Sequence, residues 1–181
     1  MGKKYALICL ALLFIFISFM FWRNISSDIS QLYQIEEENG IYRLIVKSRI
    51  GKNIYNEKYQ VEPTIMSVSD DTLLIIRGRG DWHVYTFINV ATGMVSEEFD
   101  DVSAWNSEMI VYAVLEDGIR KIVIRDIFNK DDYYMEIERD FSPMAIPHHI
   151  IKRAVFLDDT KLVLQYHFGE NLEIKEETII L

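Results

Sequence analysis

The sequence predicts an all-β domain of antiparallel meander sheets behind one N-terminal transmembrane helix, and three observations predict it. The first is an uncharged apolar run from Tyr5 to Trp22. The second is a succession of short segments after Tyr33, rich in Ile, Val, Tyr and Phe, in which no dozen residues keep a helical period. The third is a set of turn dipeptides between those segments: Asn39-Gly40, Thr92-Gly93 and Asp117-Gly118. Together they divide the chain of 181 residues into an anchor over 1–23, a linker over 24–32 and a single domain over 33–181.

Residues 5–22 form a run just long enough, as a helix, to cross a hydrocarbon core of about 30 Å. Phe19, Phe21 and Trp22 form an aromatic belt at one interface. Lys3 and Lys4 precede the run, whereas only Arg23 follows it before Asp28 and the triplet Glu36, Glu37, Glu38. Positive charge stays inside, so the N-terminus is expected in the cytoplasm and the domain outside it. The competing reading is a cleaved secretory signal cut near Ser26 or Ser27. The bulky Phe19-Met20-Phe21-Trp22 occupies the place where small residues are needed, which favours a signal-anchor. Cys9 lies only four residues into the apolar run, and Leu7-Ile8 before it offers no small residue for processing, which argues against a lipoprotein.

Each dipeptide predicts a hairpin. Asn39-Gly40 joins Tyr33–Glu37 to Ile41–Lys47, Thr92-Gly93 joins Val84–Val90 to Met94–Phe99, and Asp117-Gly118 joins Met109–Leu115 to Ile119–Asp126. Over Tyr133–Phe141, Tyr133, Met135 and Ile137 alternate with Tyr134, Glu136, Glu138 and Asp140, giving a strand with one wet face. Leu73–Ile76 and Met109–Leu115 are apolar without alternation, as expected of strands covered on both sides.

The sequence also repeats weakly. Ser67-Val68-Ser69-Asp70-Asp71-Thr72-Leu73-Leu74-Ile75-Ile76 is similar to Ala104-Trp105-Asn106-Ser107-Glu108-Met109-Ile110-Val111-Tyr112, and both are similar to the segment from Ala154 through Asp158-Asp159-Thr160 to Leu164. The continuation from Val84 to Gly93 has a counterpart from Ile122 to Asp131. On these segments the domain resembles the β-propeller repeat family, without its tryptophan-aspartate signature. The resemblance implies sheets of four strands in about three units, with a fourth begun near Lys152. So few units imply a partial propeller, completed by another copy or a partner. The alternative is a β-sandwich, whose strands would pair with one another across unit boundaries inside shared sheets. If the units are blades, Leu73–Ile76, Met109–Val114 and Lys161–Leu164 are equivalent inner strands, each buried on both faces.

Composition narrows the chemistry. The one cysteine, Cys9, lies in the apolar run, so the domain has no thiol for a disulfide, a thiolate metal site or a nucleophile. Setting aside Lys3, Lys4 and Arg23 leaves 16 basic residues against 28 acidic ones, a charge of −12 beyond the anchor. Such a surface repels phosphate backbones, which excludes nucleic acid as a partner. Membrane contact is then expected through Tyr5 to Trp22 alone.

Candidate residues are few. His83, His148, His149 and His167 show no metal-ligand spacing. The paired acids Asp70-Asp71, Glu97-Glu98, Asp100-Asp101, Asp131-Asp132 and Asp158-Asp159 recur beside apolar strands, where carboxylates bond turn N–H groups. Arg79-Gly80-Asp81 reads as hairpin chemistry. Phosphate-binding loops, nucleotide fingerprints and nucleophile elbows are missing, so no cofactor is implied. Binding is the expected activity, with Trp82, Tyr85, Trp105 and Tyr166 as aromatic anchors at turns and strand ends. The partner expected is a protein, basic on its contact surface, or a second copy of the chain. An immunity or envelope-accessory role suits such an acidic surface. The alternative function is a hydrolase whose carboxylates and histidines converge in a cleft.

Overall fold

The computed structural model describes residues 29–181 apart from Met144, Pro147 and His148. The expected membrane helix over residues 5–22 lies outside the described residues; within them, no helix is long and apolar enough to cross a membrane. The one departure from β structure at the start is a 3-10 helix, Ile29–Leu32, which occupies the end of the expected linker.

The domain is all-β, and its described residues form fourteen strands in four antiparallel sheets, each built from consecutive segments of chain. The first sheet holds β1 (Tyr33–Glu38), β2 (Ile41–Lys47) and β3 (Asn53–Tyr59). The second holds β4 (Thr64–Ser67), β5 (Thr72–Arg79), β6 (Trp82–Asn89) and β7 (Phe99–Asp100). The third holds β8 (Ala104–Trp105), β9 (Met109–Glu116), β10 (Ile119–Asp126) and β11 (Tyr134–Ile137). The fourth holds β12 (Ile151–Asp158), β13 (Lys161–Phe168) and β14 (Glu173–Ile180). No ladder joins β5, β9 and β13, so the strands are not shared between facing sheets as the sandwich alternative requires.

Local chemistry sets the turns. At Asn39-Gly40 and Asp117-Gly118 both residues have positive φ (55° and 75°, 51° and 79°), the mirror-image turn whose twist matches paired strands. Side-chain oxygens shape the rest. Asn106 Oδ1 accepts the N–H groups of Glu108 and Met109, and Asp158 Oδ1 accepts that of Thr160. Asn89 and Asp126, the last residues of β6 and β10, each accept from the N–H groups two and three residues on.

One backbone bond recurs in three sheets. The residue just after β6, β10 or β14 donates to the carbonyl just before β5, β9 or β13: Val90 to Asp71, Ile127 to Glu108 and Leu181 to Thr160, at 2.8, 2.8 and 2.9 Å. The β5–β6 and β9–β10 hairpins are thus the same unit displaced by 37 residues, Thr72 to Met109 and Trp82 to Ile119.

Two expected strands are shorter than their sequence. After Gly93 the chain makes one bridge, Ile88 to Val95, and regular pairing resumes only at Phe99 opposite Tyr85. Four steps on one side face three on the other, a bulge stabilised by Ser96, whose hydroxyl accepts the Phe87 N–H. The alternating stretch after Tyr133 ends as β11 at Ile137, because Phe141 crosses over to bridge Phe168 of the fourth sheet.

The sheets pack face to face in chain order, joined by three apolar clusters. Leu44, Val46 and Tyr59 meet Leu73, Ile75 and Ile88 between the first two sheets. Leu74, Phe87 and Phe99 meet Ile110 and Ile127 between the second and third. Val111, Ile122 and Ile124 meet Leu162, Leu164 and Tyr166 between the third and fourth. Consecutive residues of β5 and β9 therefore enter different cores, which is why those strands are apolar on both faces. The third expected inner strand differs. On β13, Leu162 and Leu164 are buried but Lys161 is exposed and Val163 half-buried, because no cluster of the described residues covers the outer face of the fourth sheet.

Candidate functional site

The four aromatic residues singled out from the sequence do not form one site. Tyr85 and Trp105 lie together, ring centroids 5.9 Å apart across the second and third sheets, both half-buried. Burial raises the Tyr85 phenol above its ordinary pKa, with a smaller push from Asp101, and keeps it a neutral donor. Trp105 also lines a shallow groove with Ser103, Ala104 and Asn106 against Ala154, Val155 and Phe156. Trp82 stands apart at the β5–β6 turn, 40% exposed. Tyr166 is a correction: it is 4% exposed, edge-on to Phe141 at 5.2 Å, because its position on β13 faces the third sheet.

Histidines and paired acids separate in the same way. His83 and His149 are exposed, His167 points out of the fourth sheet, and His148 lies outside the described residues. Among the described residues no three His, Cys, Asp or Glu side chains stand close enough to hold a metal ion. The acids serve the fold: Asp71 pairs with Arg49 at 2.5 Å and ties the loop after β2 to the second sheet. Glu98 pairs with Arg77 in its own sheet, whereas Glu97 reaches into the third sheet to Arg125, whose side chain is 7% exposed and lies over the Phe99 ring.

The outer faces of the two end sheets are the largest surfaces without a covering sheet, and they differ. On the first sheet, register aligns Gln34 with Ile45 and Asn56, and Glu36 with Arg43 and Lys58, a polar face of both charges. On the fourth, Val155 stands opposite Val163, Ile174 opposite His167 and Ile180 opposite Lys161. Leu157, Ile174 and Ile180 are 60%, 57% and 64% exposed. Arg153, Lys161 and Glu176 share this face, and Asp158 and Asp159 stand at its β12–β13 turn, all exposed. This is an apolar strip set among charges of both signs.

The edges of these end sheets carry their own charge. β1 and β14 each bear three glutamates, Glu36, Glu37, Glu38 and Glu173, Glu176, Glu177. Like charges of this density discourage strand-to-strand addition by another acidic chain.

A second feature is a cavity of about 450 Å³ between the first and second sheets, lined by Lys58, Tyr59, Gln60, Arg77, Arg79 and Glu98 among others. Arg77 lies over the Tyr59 ring, 5.3 Å from its centroid, and the Tyr59 hydroxyl is 2.6 Å from that of Tyr55. Burial first, and then the Tyr55 hydrogen bond, push the Tyr59 phenol well above its ordinary pKa, so it stays protonated. The sequence carries one signal for this place. Arg77 and Arg79 are two apart on a strand and so share a face, the face on which Leu73 and Ile75 meet the first sheet.

Comparison with known proteins returned no match to any family model and no similar curated protein.

Proposed function

We propose that this chain is a membrane-tethered, extracytoplasmic protein-binding module with a partial β-propeller architecture, and that it binds through the outer face of its fourth sheet. The observation that carries the reading is the contrast among sheet faces. Three successive interfaces are filled by apolar clusters, while the same alternation on β13 and β14 places Val163, Ile174 and Ile180 against no sheet among the described residues. The partner is a basic protein with an apolar contact patch, complementary to the apolar strip and to the net charge of −9. The propeller reading is supported by the shared hairpin unit, the recurring bond from the end of one strand to the start of its neighbour, and stacking in chain order. The anchor and the outside location rest on residues 5–22 and the Lys3-Lys4 bias.

The test is site-specific photo-crosslinking in the intact membrane, with the photoreactive residue at Val163 or Ile180 and a control at Ile45 on the first sheet. One discrete adduct is expected from Val163 and Ile180, weakened by salt, and none from Ile45. Adducts of the chain with itself would replace the partner by a second copy. Equal labelling from all three positions would contradict the reading.

A further inference from the structure

The second, third and fourth sheets share one plan of pairing, and the fourth holds one strand fewer. Counting back from Val90, Ile127 and Leu181, the donors of the recurring bond, Tyr85, Ile122 and Glu176 occupy the same place, opposite Ile76, Ala113 and Gln165. On the far side of β6 and β10 a further strand fills that place. Phe99 of β7 pairs with Tyr85 and Ile137 of β11 with Ile122, both buried at 3% and 4% exposed. No strand among the described residues pairs with the far side of β14. The Leu181 N–H bonds to the Thr160 carbonyl, so Ile179, Glu177 and Lys175 direct their backbone groups to β13, while Ile180, Thr178, Glu176 and Ile174 direct theirs outward. The same alternation turns the Phe87 and Asp126 N–H groups outward on β6 and β10, where Ser96 and the Tyr133 carbonyl accept them. On the outward-facing side of the fourth sheet, Glu176 is the one charged residue of β14, and it makes no ion pair among the described residues. Lys175 lies over the Phe168 ring and Glu177 pairs with Arg139, both on the other side of the sheet.

We infer that the free edge of β14 accepts one extended strand of the partner protein, added antiparallel in the place that β7 and β11 take, with a lysine or arginine beside Glu176. The strand's charge rests on the proposed basic partner, whereas the open edge follows from the register alone. The outward N–H and C=O groups of Ile174, Glu176, Thr178 and Ile180 supply the ladder, and the side chain beside Glu176 supplies the selectivity. Tyr85 and Ile122 take an apolar neighbour at this place; a carboxylate takes a cation. A second copy is a poor donor at this edge, because its own β14 brings three more glutamates. The added strand is continuous with the apolar strip, since Ile174 and Ile180 belong to both.

The experiment follows amide hydrogen exchange of the full chain in detergent, residue by residue by NMR, during titration with a capped peptide that alternates threonine and valine around one central lysine. Saturating peptide is expected to slow exchange about tenfold at Ile174, Glu176, Thr178 and Ile180, and to change little at Lys175, Glu177 and Ile179, which already bond to β13. Replacing the central lysine by glutamate is expected to raise the Kd about tenfold, as an opposite-charge pair becomes a like-charge one. Glu176→Lys should reverse that preference. Thr178→Pro removes an outward N–H without touching the β13 ladder and should abolish binding. Absence of slowing at the four outward amides would overturn the proposal. So would equal slowing along β1, a glutamate peptide binding as tightly, an unreversed preference in Glu176→Lys, or undiminished binding in Thr178→Pro. Crosslinking from Val163 reports the face in the native membrane and exchange reports the edge, so either reading can fail without the other.

Discussion

β5 and β13 have similar sequences but different surroundings. On β5, Leu73 and Ile75 enter the core shared with the first sheet and Leu74 the core shared with the third. On β13, Leu162 and Leu164 enter a core and Val163 does not. An apolar strand run thus does not by itself say that both of its faces are covered. That difference separates a sheet that completes the fold from one that presents a surface.

The largest expected effect lies where burial is two-sided. Phe87, fully buried between the second and third sheets, should cost about 3–5 kcal/mol on replacement by alanine, read as a lowered urea midpoint at unchanged slope. The comparison itself is sharpened by consecutive alanines. Leu74→Ala and Ile75→Ala should both cost about 2–5 kcal/mol, whereas on β13 the cost should alternate, as large at Leu164 but below about 1 kcal/mol at Val163. Equal costs at Leu164 and Val163 would show that this chain covers both faces.

A smaller effect is expected at the strut between the second and third sheets. Glu97→Gln removes the carboxylate charge from the buried Arg125, which keeps its contacts with the Asp126 carbonyl, the Phe99 ring and the Tyr112 hydroxyl. The expected loss is about 1–3 kcal/mol by chemical denaturation, the range for leaving a charged donor undersatisfied.

The smallest effect is a pH dependence at the Lys121–Glu136 pair between β10 and β11. Lys121, 2.8 Å from Glu136, holds that carboxyl below its ordinary range with help from Tyr134, and is itself held above the usual ammonium range by Glu136. A depressed carboxyl stabilises the fold above its unfolded value and loses that contribution as pH falls through the folded one. A raised ammonium stabilises below its unfolded value and loses it as pH rises through the folded one. Wild type should therefore exceed Lys121→Met in stability between about pH 5 and pH 10 and converge with it at either extreme. A constant difference across that range would assign Lys121 to packing alone.

Much of the fold was legible because the signals were local. Asn39-Gly40 and Asp117-Gly118 specify their turns through positive φ at both residues, and the hairpins stand where those dipeptides place them. The stretch after Gly93 was not legible, because its bulge depends on a serine hydroxyl replacing a ladder bond. The first sheet shows no sequence similarity to the others and lacks their recurring closing bond, so the repeat could not reveal it. Site residues were less legible still. Tyr166 and Val163 follow the same alternation as their neighbours, and only the position of the third sheet decides which is buried. Arg77 and Tyr59 meet across two sheets, a contact that no sequence spacing encodes.

The most direct test of the account is thiol accessibility at the uncovered face. With Cys9 replaced by Ser, the full chain carrying Val163→Cys would be treated with a membrane-impermeant maleimide, in intact membranes and after purification in detergent. The account predicts protection in the membrane and rapid labelling once purified, while Ile45→Cys on the first sheet labels equally in both. Equal labelling of Val163→Cys in the two preparations would contradict it.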